Sequence, residues 1–289
     1  MADDKLQIYE TPQFRNPRLV VGFSGWMDGG DVSTGTIKVL ADKLGAQRFA
    51  EILPEGFYIY NFPGAIELTT LFRPHCRIQE GLVRTFALPE NVFYAAADND
   101  LILFMGKEPN LAWEDYADCL FELCTEFGVK MVYFVGSVSG LVPHTRDPHL
   151  FCSVSDAGLK PLLERYGIRF SDYEGPASIV TYLTAAALDR GIEMISFVAT
   201  VPAYVQGSNP RCIDAVVRRL AGVLNLELHL DDLRDAADNF EKRLSEVVEE
   251  EPELAESVVK LEQDYDNEVF DNELVDLKHW LHQKGIRLD

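Results

Sequence analysis

Residues 19–45 read LVVGFSGWMDGGDVSTGTIKVLADKLG, and three kinds of pattern follow one another within them. Leu19-Val20-Val21 is a short apolar run ending in Gly22-Phe23, as a strand buried on both faces does. Ser24 to Asp31 is too rich in glycine to continue that strand. From Val32 the spacing changes to Gly35/Thr36, Val39/Leu40 and Leu44, the period of a helix packed on a sheet. Gly45 then stands where a left-handed cap is usual. Strand, glycine loop and helix make the first half of a right-handed crossover. In open α/β sheets such a loop lies at the carboxyl end of the strand, where ligands bind. Asp28, Gly29 and Gly30 are therefore the first candidate ligand-binding residues.

The same grammar recurs outward from this unit. Leu101–Met105, Met131–Val135 and Met194–Ala199 are further short apolar runs, each followed by glycine or proline and then a helix or long loop. Asn110 is placed to cap a helix whose stripe runs through Trp113, Tyr116/Ala117, Leu120 and Leu123/Cys124 to Gly128. Pro176 predicts the start of a helix over 177–190, and Asn209-Pro210 one over 211–224. Between the first two runs, Arg48–Ile52, Gly56–Phe62 and Arg77–Phe86 read as strands, the last alternating as an antiparallel or edge strand does, with Asn91–Tyr94 continuing it as a hairpin. The predicted fold is α/β: a three-layer sandwich with a mixed, mostly parallel sheet. Beyond Leu230, Leu233, Ala237, Phe240 and Leu244 step by four and three. After Pro252 the pattern resumes in Leu254, Val258, Leu261 and Tyr265, and again in Phe270, Leu274 and Leu277. The expected division is an α/β core over 1–228 and an acidic, all-helical appendage over 229–289.

The formal charge is −21 from 47 acidic and 26 basic residues, which argues against nucleic acid, whose phosphates need lysine and arginine. It argues equally against anionic membrane surfaces. No stretch approaches the ~18 to 20 uninterrupted apolar residues of a membrane span. The opening MADDKLQIYE lacks the basic start and apolar run of a signal peptide. A cytoplasmic protein with reduced thiols is expected, since its five cysteines are odd in number, scattered and set in apolar runs.

Several polar groups sit beside the strand-end loops. His144, Arg146 and Asp147 form the densest cluster: histidine suits proton transfer, and a guanidinium fork suits a carboxylate or phosphate. The alternative is that Arg146 pairs with Asp147 or Glu174 to pin a long loop. Glu67, Glu108 and Glu174 lie where carboxylates could converge. Asp28 and Asp31 either belong to a ligand site or cap the helix they precede. His144 and His149 are five apart in a loop, which matches no metal-ligand spacing, so no metal is expected. The glycine loop lacks both G-x-G-x-x-G and a phosphate loop's Lys-Ser/Thr ending, and Ser24 in Gly-Phe-Ser-Gly is no nucleophile elbow. No cofactor is identified and no complete catalytic set is visible.

Four motifs in order, Gly22-Phe23-Ser24-Gly25-Trp26-Met27-Asp28-Gly29-Gly30, Gly106-Lys107-Glu108-Pro109, Val142-Pro143-His144-Thr145-Arg146 and Tyr173-Glu174-Gly175-Pro176, resemble the proteasome assembly chaperone 2 family, most closely its actinobacterial branch. The resemblance spans about residues 15 to 225. It implies a sandwich similar to the purine nucleoside phosphorylase type, and a homo-oligomer, with a trimer favoured and a protein partner possible. The family commonly has Pro-His-Tyr after its last core strand, where this chain has Pro202-Ala203-Tyr204. Some relatives dock on proteasomes by a terminal hydrophobic-Tyr-any tripeptide, which Ile286-Arg287-Leu288-Asp289 does not match, so no gate opening is expected from those residues. Two functions stand: an oligomeric, assembly-chaperone-like interaction protein, or a small-molecule-binding hydrolase-, phosphorylase- or ligase-like enzyme. The enzyme reading would use a cleft of Asp28, Gly29, Gly30, Glu108, His144, Arg146 and Glu174.

Overall fold

The computed structural model describes residues 5–70, 72–164, 166 and 168–283. Its strands are β1 (Leu6–Ile8), β2 (Arg18–Ser24), β3 (Gln47–Ile52), β4 (His75–Gln79), β5 (Leu82–Ala87), β6 (Val92–Ala96), β7 (Leu101–Lys107), β8 (Met131–Gly140), β9 (Leu150–Val154), β10 (Arg169–Phe170) and β11 (Glu193–Pro202). The helices are α1 (Val32–Leu44), α2 (Ile66–Thr70), α3 (Trp113–Phe127), α4 (Lys160–Glu164), α5 (Ile179–Ala187), α6 (Pro210–Leu224), α7 (Asp231–Glu250) and α8 (Pro252–Gln283). Nine strands form one sheet in the order β1-β3-β6-β7-β2-β8-β11-β9-β10. The four apolar runs are its centre, β7, β2, β8 and β11, all parallel. β6, β3 and β1 extend it antiparallel on one side. On the other side β9 runs antiparallel to β11. The mixed α/β sandwich is as expected, with its parallel pairings concentrated at the centre of the sheet.

β2 lies at the middle because its side chains are apolar in both directions. Leu19, Val21 and Phe23 pack with Tyr116 and Leu120 of α3 and with Ile179 and Leu183 of α5. Val20 packs with Ile37 and Leu40 of α1 and with Ile213 and Val217 of α6. The period-2 alternation of one strand thus feeds two separate cores, one per face. Gly22 lets α1 approach: a Cβ there would stand 2.6 Å from Ile37 Cγ1 and 2.9 Å from the Ser33 carbonyl oxygen. Ser33 fastens the three elements, its Oγ accepting from Phe23 N at 2.9 Å and donating to Val135 O at 2.5 Å.

Residues 53–91 depart from the sequence reading. Gly56–Phe62 is no strand. Phe57 is instead a buried plug, its ring 5.0 Å from that of Tyr116 and its carbonyl accepting from Asn110 N and Leu111 N. Asn110 does not cap α3; its side chain accepts from Ile59 N at 3.1 Å, and Ala112 stands at the cap with φ 51°. Arg77–Phe86 folds back on itself as the hairpin β4–β5, separate from the main sheet. Glu80 (φ 53°) and Gly81 (φ 75°) form its turn, and two consecutive positive φ angles match the twist of paired strands. Asn91 is fully buried beneath this region. Its Oδ1 accepts from Tyr58 (2.6 Å), Tyr116 (3.0 Å) and Lys107 N (3.1 Å), and its Nδ2 donates to Ile52 O. Pro176 lies before α5 rather than in it, and Ser178 supplies the cap.

Between Leu230 and Gln283 the chain forms two helices. Leu230 and Leu233 pack on the core that α6 covers. Glu251, in extended backbone, separates α7 from α8. The expectations for Ile286–Asp289 and for the Glu67 side chain lie outside the described residues.

Candidate functional site

The carboxyl ends of β2, β7, β8 and β11 share one edge of the sheet, since all four run parallel. There the chain from Gly25 to Asp31 turns back into α1. Gly25 adopts φ 141° and Gly30 φ 64°. Asp28 accepts from Thr34 N at 3.0 Å and from Thr34 Oγ1 at 2.8 Å, so its carboxylate occupies the N-terminus of α1. Burial holds the Asp28 carboxyl above its ordinary range, and the Thr34 hydrogen bonds offset only part of that rise. Capping therefore falls to Asp28. Asp31, with φ 54°, makes no side-chain cap. Ser137 N donates to Met27 O at 2.9 Å, and Ser137 Oγ to Gly29 O at 2.6 Å, binding this loop to β8. Gly30 O accepts from Asn209 N at 2.8 Å, and a Cβ on Gly30 would meet Asn209 Cβ at 2.9 Å.

Glu108, just past β7, spans two elements. Its Oε2 accepts from Trp26 N at 3.1 Å and its Oε1 from Ile179 N at 3.3 Å, in the first turn of α5. Glu174 stands exposed in the loop before α5.

His144 is buried, and both its ring nitrogens are engaged. Nδ1 lies 2.8 Å from Tyr204 Oη and Nε2 3.1 Å from Ser245 Oγ of α7, while His144 N donates to the same tyrosine oxygen. Burial holds the imidazole below its ordinary range; Glu262 pulls it up and Arg211 pushes it down. Arg146 corrects the expected pairing. Its partner is neither Asp147 nor Glu174 but Asp266 of α8, in a two-pronged contact with Nε and Nη2 each at 2.9 Å. Glu262 follows at 3.6 Å. Burial pushes the thiols of Cys124 and Cys212 up to about 12, which makes them poor nucleophiles.

The structure thus places the seven candidates in three settings. Asp28, Gly29 and Gly30 are locked to Ser137 and Asn209. Glu108 ties the β2 loop to α5, with Glu174 exposed nearby in sequence to that helix. His144 and Arg146 face the tail. Asn209 also lines a narrow cleft beside His144, Arg146, Pro202 and Arg211, which links the first setting to the third. No group of three or more metal-ligating side chains occurs among the described residues. Sequence reasoning missed Asn91, Tyr204 and Ser245, and the tail carboxylates Glu262, Asp266 and Glu268. The helical stripe announced α8 but not which of its many acids face inward.

A family model described as the PAC2 family matches residues 22–248. No curated protein matches the chain significantly. Among solved structures, a proteasome-assembly chaperone homologue from Mycobacterium tuberculosis is similar at 30% identity, over 83% of this chain and 99% of its own, with a TM-score of 0.72. A PAC2 family protein from Streptomyces avermitilis matches at 25% identity, over 84% of this chain and 100% of its own, with a TM-score of 0.70. A Mycobacterium tuberculosis protein of unknown function shares the fold at 23% identity, with a TM-score of 0.81 over 94% of this chain and 92% of its own.

Proposed function

Because this chain belongs to the PAC2 family, we propose that it acts by binding protein rather than by catalysis, as an oligomeric, assembly-chaperone-like module. The observation that carries this reading is the β4–β5 hairpin. Ile78, Leu82, Val83 and Phe86 are 63, 56, 66 and 61% exposed on it. A lone two-stranded hairpin is marginal in water, and apolar residues clustered on such an element mark a contact surface. Its occupant is a second copy of this chain, in a trimer. Residues 73–87 carry Arg73, Arg77 and Arg84 against Glu80, a local excess of base on a chain of charge −21. Another acidic copy is thus the electrostatic match.

The candidate polar groups support the same reading. Asp28, Glu108, His144 and Arg146 are each held by a structural partner. The relative named a proteasome-assembly chaperone homologue points to a protein client as well. A cytoplasmic setting suits cysteines that form no disulfide among the described residues, and the net charge disfavours nucleic acid and anionic membranes. No described helix is long and apolar enough to cross a membrane.

Light scattering tests the self-association. The expected mass at micromolar concentration is three times the 32.5 kDa chain. Replacing Val83 and Phe86 by Asp returns a monomer with an unchanged circular dichroism spectrum. A wild-type chain that stays monomeric removes the proposal.

A further inference from the structure

On a strongly acidic chain, basic side chains gather on one surface and are covered by one helix. Arg146 grips Asp266 with both prongs of its fork. Arg169 bonds to Glu268, and His149 Nε2 lies 3.4 Å from the same carboxylate. Tyr265 stacks on the His149 ring with centroids 4.4 Å apart and planes 8° from parallel, and its hydroxyl donates to Asp147 O at 2.9 Å. Thr145 bonds to Glu262. Glu262, Tyr265, Asp266 and Glu268 fall on one side of α8, given 3.6 residues per turn.

The specific contacts to the α/β core are mostly polar. Among the described side chains of α8, only Val258 is buried, and Leu254, Leu261, Tyr265 and Val269 are half-buried. The ion pairs are half-exposed, with side chains 35% open at Arg146 and 55% at Asp266, so salt screens them. α7 differs. It buries Ala237 and Val248, and Leu233 packs on the core. The extended backbone at Glu251 and the proline that opens α8 set a break between the two helices. α8 can therefore leave while α7 stays.

We infer that α8 is a releasable strap, lying in a basic groove of Arg146, His149 and Arg169 that otherwise receives an acidic helix of a partner protein. The groove's chemistry defines that partner. Its guanidinium forks fit carboxylates, spaced as on α8, with an aromatic ring between them to meet His149. The inference rests on the reading of the protein as an interaction module, but it concerns a surface distinct in sequence from the hairpin. Light scattering tests that reading, whereas exchange along α8 tests this one, so the two can fail separately.

Amide hydrogen exchange on the full chain decides the first half. Raising sodium chloride from about 0.05 to 0.5 M should speed exchange of residues 252–270 by roughly tenfold and leave β2 and β8 unchanged. Exchange of α8 only together with the sheet, at every salt concentration, would overturn the strap. So would protection of α8 that grows with protein concentration, because a second copy's tail would then fill the groove. A labelled peptide of residues 252–270 decides the other half. It should bind saturably to the full chain carrying Asp266→Arg and Glu268→Arg, and adding Arg146→Ala should abolish that binding. A strap-broken chain that melts cooperatively yet ignores the peptide would refute the partner groove.

Discussion

His144 shows how a residue that looks catalytic in sequence can be structural in the fold. Burial favours the neutral ring, in which Tyr204 Oη, already accepting from the main-chain N–H of His144, can donate to Nδ1 while Nε2–H donates to Ser245. Protonation would take away the acceptor that Tyr204 then uses. His149 is displaced the same way, by burial first and Arg169 second, against the pull of Glu268. A histidine whose folded pKa lies below its unfolded value binds its proton more tightly when the chain is unfolded. The stability it contributes is whole above about pH 6.5 and falls as the pH drops below that. The urea midpoint should accordingly fall between about pH 7.5 and 5.5, and His144→Gln should flatten the slope. A midpoint indifferent to pH over that range would contradict this account. At this scale the sequence showed which residues matter but not their partners. Arg146 stood out at once, whereas its true partner lies 120 positions away, and no local pattern connects them.

Among the elements, the β2–α1 unit was the most legible, because buried parallel strands and sheet-packed helices write their periods plainly. Its tightness can be tested. Gly22→Ala would drive a methyl to 2.9 Å from the Ser33 carbonyl oxygen as well as into Ile37. Backbone on a packed helix cannot yield as a side-chain tip can. The expected loss is about 1–3 kcal/mol in urea unfolding, and a loss near zero would mean that α1 rides more loosely on the sheet than its contacts imply. Residues 53–91 were the least legible. Aromatic residues at 57–62 carry strand propensity, but propensity yields to packing, and Phe57 is spent as a plug against Tyr116. Likewise Arg77–Phe86 read as one strand, because glutamate rarely takes the left-handed angle that a turn at Glu80-Gly81 demands.

For the whole molecule, the proposed division after residue 228 has a definite consequence. Both apolar cores belong to the sheet and the helices that end at Leu224, and the tail adds few fully buried side chains among those described. A chain ending at Leu230 should keep a cooperative melt. An insoluble or molten product would mean that α7, which the family match enters as far as residue 248, completes the fold. The amphipathic stripe and acid excess of the tail were evident from sequence, but its docking was not, since ion pairs between distant segments leave no periodic trace. The separation of those segments also orders events in time. Ribosomes add about 5–20 residues per second, and Asp266 follows Arg146 by 120 positions. The guanidinium of Arg146 is thus made on the order of 6 to 24 s before the carboxylate that covers it. Until α8 is made, the nascent groove of Arg146, His149 and Arg169 lacks its own cover, and an acidic helix arriving then meets no competitor.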